Sequence, residues 1–276
     1  MDGRACSYVN TVPTSSTSAG PDQRYLIPNL RHACRVLKLL GQDNRGYKVN
    51  EVAKQLKIPA TSALRIASTL VSEGLLRREN GLLYLGPVLI HLGARSMSET
   101  ELRDTAQPIL QHLSQVTDET AHLALPCDNR SLIVSVCDSP HPLRAASSPG
   151  TLTDLYTSST GKVFLAFLHR RRIAEILAQY PPRRRTTRSL TTLQALESEA
   201  DRVLLDGYGL DDEEFNEGVR CLAAPVLGPQ GEVVAAIGIT AATVRFTKAR
   251  IPEIATHVKA AARRLSAALG SGMSLH

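Results

Sequence analysis

The chain has 276 residues, enough for two ordinary domains that each bury a core. Hydrophobic residues make up 43% and charged residues 21%, the balance of a globular protein, and no run approaches the eighteen or so apolar residues a membrane helix needs. The net charge of +6 is concentrated: from Arg24 to Arg95 twelve Lys and Arg stand against four acids, and from Ser96 onward nineteen stand against twenty, as in a polyanion-binding module joined to a neutral body.

Residues 1–23 are polar, lack the apolar stretch of a signal peptide, and are expected to form a flexible tail. Five cysteines at irregular spacing suit reduced thiols in a cytoplasm better than a disulfide framework. The basic segment then reads as helical and punctuated. Asn29 is placed to cap a helix in which Leu30, Ala33, Cys34, Leu37 and Leu40 recur at helical spacing, and Gly41–Gly46 breaks it. Asn50 is placed to cap a second, short helix with Val52, Ala53 and Leu56 inward. Pro59 opens a third after a tight turn; Ala63, Ile66, Ala67 and Leu70 form its stripe and Gly74 caps its end. Two short β-like runs follow, joined by Asn80-Gly81, a strong local hairpin signal.

Three helices with a tight turn between the last two, then a hairpin, make a winged helix-turn-helix, whose third helix offers its N-terminal side chains to the major groove of double-stranded DNA. Lys57, Thr61, Ser62, Arg65 and Ser68 face away from the stripe, and Arg77 and Arg78 on the wing suit phosphates. Arg65 suits a base or a phosphate equally. A small helical bundle with solvated charges is the bland alternative.

Pro87 opens a further helix, an expected linker over 87–98 that is apolar on one side and so needs a partner. Another helix follows, with a kink expected at Pro108. Residues 121–127 and 131–137 read as strands around a turn, and two helical stretches lie at 160–180 and 192–208. Two strands around Gly228-Pro229-Gln230-Gly231 and a helix over about Lys248–Leu269 complete an antiparallel α+β domain. On the second of these strands Val233, Ala235, Ile237 and Ile239 are expected on one face. Val234, Ala236, Gly238 and Thr240 are expected on the other. The shrinking side chains of the second face suit either a ligand cavity or a closely packed helix. Cys221 and Ala223, with Val219 in line, are the corresponding members of the neighbouring strand.

The segment Tyr156–Phe167, YTSSTGKVFLAF, contains the Gly-Lys that ends a phosphate loop. That loop needs a glycine where Tyr156 stands and a hydroxyl where Val163 stands, so a nucleotide site is not expected. A catalytic Lys162 would need burial or a neighbouring cation. The remaining reading is a helix start at Ser159, Thr160 and Gly161 whose free N–H groups and dipole favour an anion. His122, Cys127, Cys137 and His141 share no metal-ligand spacing, and hydrolase signatures are absent. Neither a metal, a cofactor nor catalysis is expected. The basic runs at 169–172 and 183–188 read as solvated surface or, alternatively, as further phosphate contacts.

The order of Leu30–Leu40, EVAKQL, RIASTLVSEGLL and YLGPVLIHLG resembles IclR-type transcriptional regulators, and the resemblance extends through DDEEFNEGVRCLAAPV. It implies a GAF-like effector domain over 99–276, a linker that helps two chains pair as a dimer or tetramer, and a pocket for a small organic acid. The positions matching that pocket are Ala145, Thr153, Ser159, Thr160, Asp211, Val219, Cys221, Gly238 and Thr240. Relatives carry larger apolar side chains at Ala145 and Thr153, and Gly and Ala at Ser159 and Thr160, which implies a more polar pocket here. Asp211 beside a carboxylate suits a hydroxylated or keto acid, or else is a solvated acid in its acidic run. Two functions stay open: a ligand-responsive DNA-binding regulator, with winged helix over 24–86, or a small-molecule carrier or enzyme tethered by a DNA-binding module.

Overall fold

The computed structural model describes residues 26–42, 45–98 and 101–271; the expected tail lies outside them. The chain divides into two compact units, residues 1–96 and 97–276. The first holds α1 (Pro28–Leu40), α2 (Val49–Leu56), α3 (Ala60–Ser72) and an antiparallel hairpin of β1 (Leu76–Glu79) and β2 (Leu82–Leu85). The helix α4 (Pro87–Ser98) follows. The stripe of α3 is buried as its spacing requires. Asn80 and Gly81 both adopt positive φ, which closes a two-residue hairpin with the strands' own twist.

In α1 the buried residues are Val36, Leu39 and Leu40, whereas Leu30 and Cys34 are exposed. The expected stripe was misplaced because the apolar residues of α1 fit two stripes, and the core engages only the last turns. The cap differs too: Ile27, not Asn29, precedes α1. At α2, Lys48 precedes the helix and its N–H is held by Glu51 at 2.8 Å. Tyr47 joins the wing through paired backbone hydrogen bonds with Leu83, 3.1 and 2.8 Å.

The second unit is built on a six-stranded antiparallel sheet in the order β5-β4-β3-β8-β7-β6. The strands are β3 (Thr120–Cys127), β4 (Arg130–Cys137), β5 (Leu152–Asp154), β6 (Gly209–Asp212), β7 (Val219–Leu227) and β8 (Val233–Ala242). One face is covered by α5 (Glu101–Thr117), which runs on through Pro108, and α9 (Ile251–Ala268). The other is covered by α6 (Ser159–His169), α7 (Ile173–Gln179) and α8 (Leu193–Asp206). Ile237 and Ile239 face the first pair; Ala223 and Ala236 lie under α6. A register shift between Val226 and Leu227 exchanges the two valines of β8, so that Val233 joins the α6 side and Val234 the α9 side. The strict alternation expected from the sequence fails there because a bulge inserts one residue. Among the described residues no helix is long and apolar enough to cross a membrane.

Candidate functional site

In the first unit, burying the stripe of α3 leaves Thr61, Arg65 and Ser68 exposed and Ser62 half-buried on the opposite side. Lys57 is exposed at the α2–α3 turn, in the left-handed conformation that usually costs a non-glycine residue about 1 kcal/mol. Arg77 and Arg78 are exposed on β1; Arg77 lies 4.7 Å over the Tyr84 ring and pairs with Glu79. Sequence reasoning missed Leu64, which is exposed beside Arg65, and Arg45, whose guanidinium lies 4.3 Å over Tyr47 next to the wing. A leucine off the stripe was the available signal for the former.

In the second unit, antiparallel register sets Asp211, Cys221, Thr240 and Thr120 side by side across β6, β7, β8 and β3. One step along lie Gly209, Ala223, Gly238 and His122. The hydroxyl of Thr240 is the hub: Ser147 approaches it at 3.3 Å, the Cys221 thiol at 3.4 Å and His122 Nδ1 at 3.4 Å. Ser147 belongs to the 138–151 connection, which Ser139 ties to Asp118 and Thr120, and Arg245 ties through Leu143 to Glu119. Ala145 lies half-buried in the same connection, and Val219 lies at the start of β7 opposite Ala242. Neither His122 nor Ser147 was legible as a site residue, because each is isolated in sequence.

Asp211 is 1% exposed, so the solvated reading of its acidic run fails for this residue. Its Oδ1 accepts the N–H groups of Glu214 and Phe215 at 2.8 and 3.2 Å, yet burial pushes its pKa up to about 7. Burial lowers His122 to about 4 and raises the Cys221 thiol well above its usual value. Near neutral pH the row therefore presents a neutral imidazole, a neutral thiol, hydroxyls and one carboxyl close to its midpoint.

The remaining expected residues form a separate hydroxyl cluster at the start of α6. The Thr160 and Ser131 hydroxyls are 2.8 Å apart, and Thr153 donates to Ser158 at 3.0 Å. Ser158, which the sequence reading passed over, caps α6 and accepts the Gly161 N–H at 3.1 Å. That amide is therefore not free for an anion. Ser159 is buried here as well. Gly161 is required by packing: a Cβ there would run into the carbonyl of Asp154 and the Cα of Leu155. Gly238 is likewise required by packing, since a Cβ would press on the paired strand at Leu222 and Ala223. Gly209 admits α6 at the carbonyl of Ser159. Close packing thus accounts for these glycines, against α6 at Gly209, against the paired strand at Gly238 and against the Asp154–Leu155 backbone at Gly161, and Thr240, Cys221 and Asp211 mark the more polar end of the face.

Lys162 is buried, contrary to what the sequence disclosed, but its ammonium is fully engaged. It donates to Glu199 at 2.9 Å, to the Leu210 carbonyl at 2.7 Å and to Glu214. Three donors meet three acceptors, binding α6 to α8 and to β6. The Gly-Lys pair is thus a packing contact and an ion tie. Among the described residues, no three His, Cys, Asp or Glu side chains are grouped to hold a metal ion.

A winged helix-turn-helix on one unit and a helix-flanked sheet with a buried polar row on the other define a DNA-binding regulator with a sensor domain. The chain belongs to the IclR family: residues 94–267 match the model of the bacterial transcriptional regulator IclR C-terminal domain, and residues 30–80 match the IclR helix-turn-helix domain. It is 32% identical to the HTH-type transcriptional regulator KdgR of Escherichia coli, over 85% of this chain and 90% of that one. An IclR transcriptional regulator from Alicyclobacillus acidocaldarius superposes with a TM-score of 0.76 at 26% identity, covering 89% of this chain and all of that one. An IclR homologue from Microbacterium hydrocarbonoxydans, solved with 4-hydroxybenzoate, gives 0.70 at 21% identity, covering 87% and 98%.

Proposed function

We propose that this transcriptional regulator grips duplex DNA through Lys57, Thr61, Ser62, Arg65, Ser68, Arg77 and Arg78, and responds to a small hydroxylated or keto acid. The acid is read by the polar row of the second unit. Asp211, Cys221 and Thr240 make direct contact, with Val219, Gly238 and Ala145 at the margin and the Thr153–Ser159–Thr160–Gly161 cluster forming an adjoining wall. The observation that carries the first half is the exposed polar face of α3, set beside a wing whose Arg78 makes no ion pair among the described residues. The solved homologue's 4-hydroxybenzoate, itself a hydroxylated acid, supports the second half. The protein works in the cytoplasm as a homodimer or tetramer. An operator made of two half-sites needs two heads, and the 87–98 helix, on which Ile90 and Leu92 are exposed, provides an apolar face for pairing.

The test is a titration of the full chain against labelled duplex from its own upstream region at several salt concentrations. If Arg65 holds a phosphate, Arg65→Ala weakens binding and reduces the salt slope by about one counterion. If it reads a base, affinity falls at one operator position, by about 1–3 kcal/mol, with the slope unchanged. Identical isotherms for the two proteins would remove Arg65 from the interface.

A further inference from the structure

The Thr240 hydroxyl has one proton and two lone pairs, and it is approached from three sides. The Ser147 hydroxyl and the Cys221 thiol both donate to it. Its lone pairs are thereby used, and its own proton is left for His122 Nδ1 at 3.4 Å. If that proton is given to Nδ1, which then carries none, the neutral imidazole bears its proton on Nε2. Among the described residues no group is bonded to that Nε2. The sealed-in nitrogen and oxygen atoms without partners among the described residues are His32 Nδ1, His169 Nε2 and Glu214 Oε2. His122 Nε2 is not one of them, so this nitrogen, on a side chain 3% exposed, is neither bonded to a described group nor fully sealed in.

The other end of the row has the opposite polarity. Asp211 on β6 spends Oδ1 on two backbone N–H groups, and its second oxygen remains able to accept. Three strand spacings and one two-residue step along the strands, roughly 16 Å between backbones, separate Asp211 from His122, with Cys221 and Thr240 between them. All three contacts to Thr240 are at 3.3–3.4 Å, the long limit of hydrogen bonding, so an incoming oxygen displaces little.

We propose that His122 is a ligand-contacting, specificity-determining residue of the effector site: its Nε2–H donates to the carboxylate of a hydroxylated carboxylic acid, whose hydroxyl donates to Asp211. This orients the acid with its acceptor end at β3 and its donor end at β6. The assignment rests on the row being the effector site, as proposed above. Burial holds the imidazole neutral, with a pKa near 4, so it supplies a hydrogen bond and not a charge.

The test uses the full chain labelled with nitrogen-15, and 4-hydroxybenzoate, benzoate, lactate and pyruvate as probes. Imidazole NMR, assigned by loss of one spin system in His122→Gln, should show a neutral Nε2–H tautomer that persists to about pH 5. Its Nε2 resonance should move when a binding acid is added. Acid affinity should fall about ten- to a hundredfold in His122→Phe and be largely restored in His122→Gln, whose amide keeps a donor. 4-Hydroxybenzoate, whose hydroxyl lies at the end opposite its carboxylate, should bind tighter than benzoate, and the advantage should vanish in Asp211→Ala. A proton found on Nδ1 would overturn the proposal without any ligand. If Asp211→Ala and Thr240→Val abolish binding while His122→Phe leaves it intact, His122 is excluded and the site reading stands. If no acid binds, or binding ignores all three residues, both fall together.

Discussion

The two units carry their working residues in opposite ways. In the first, the core is one side of α3 and the proposed reading face is the other, so Thr61, Arg65 and Ser68 share a helix with the stripe but no role in packing. In the second, Asp211, His122, Thr240 and Lys162 are themselves buried and hydrogen-bonded into the fold. A surface that touches DNA can be altered with little cost to stability, whereas a polar interior cannot be altered without charging the fold for it.

The largest expected effect is at the ion tie. Lys162→Met leaves Glu214 without its cation, and Glu214 already has one oxygen without a partner. Removing one member of a buried pair costs about 3–5 kcal/mol, so urea unfolding should show a loss of that order. Arg78→Ala on the wing should stay within about 0.5 kcal/mol of wild type. Comparable losses in the two variants would erase the contrast between the units.

A second, smaller effect separates Asp211 from His122 by pH. The folded value of Asp211, about 7, lies above the usual 3.8, so its contribution to stability is present in acid and is lost as pH rises toward 7. The folded value of His122, about 4, lies below the usual 6.5, so its contribution is present above about 6.5 and is lost as pH falls toward 4. The slopes oppose each other in one window, each worth on the order of 3 kcal/mol over its range. Asp211→Asn should therefore make the melting temperature fall more steeply from pH 7 to 5. His122→Gln should flatten or reverse that fall. Parallel curves for all three proteins would contradict the burial assigned to these groups.

The same contrast explains what the sequence disclosed. The helix-turn-helix was legible because its elements are local: Pro59 starts α3, Gly74 follows its end at positive φ, and Asn80-Gly81 closes the wing. The strands β5 and β6 were missed because Leu152–Asp154 and Gly209–Asp212 are short, acidic and without alternation. The site row was half legible. Cys221, Gly238 and Thr240 lie on one hairpin and could be aligned by period two, the α6 start was read from its own residues, and Asp211 came from the family resemblance. His122 entered only through β3–β8 pairing, which brings together residues 118 positions apart. The role of Gly238 stayed open between cavity and packing because sequence cannot tell a glycine that admits a ligand from one that admits a neighbouring backbone.

The most direct measurement asks whether the two units communicate. Duplex affinity of the full chain should be measured with and without an acid shown to bind it, and the acid's affinity with and without duplex. Ligand control predicts that each changes the other's dissociation constant by the same factor, between about 5- and 150-fold, a coupling of about 1–3 kcal/mol. Acid and duplex that bind the same protein with no mutual effect would contradict regulation through this site.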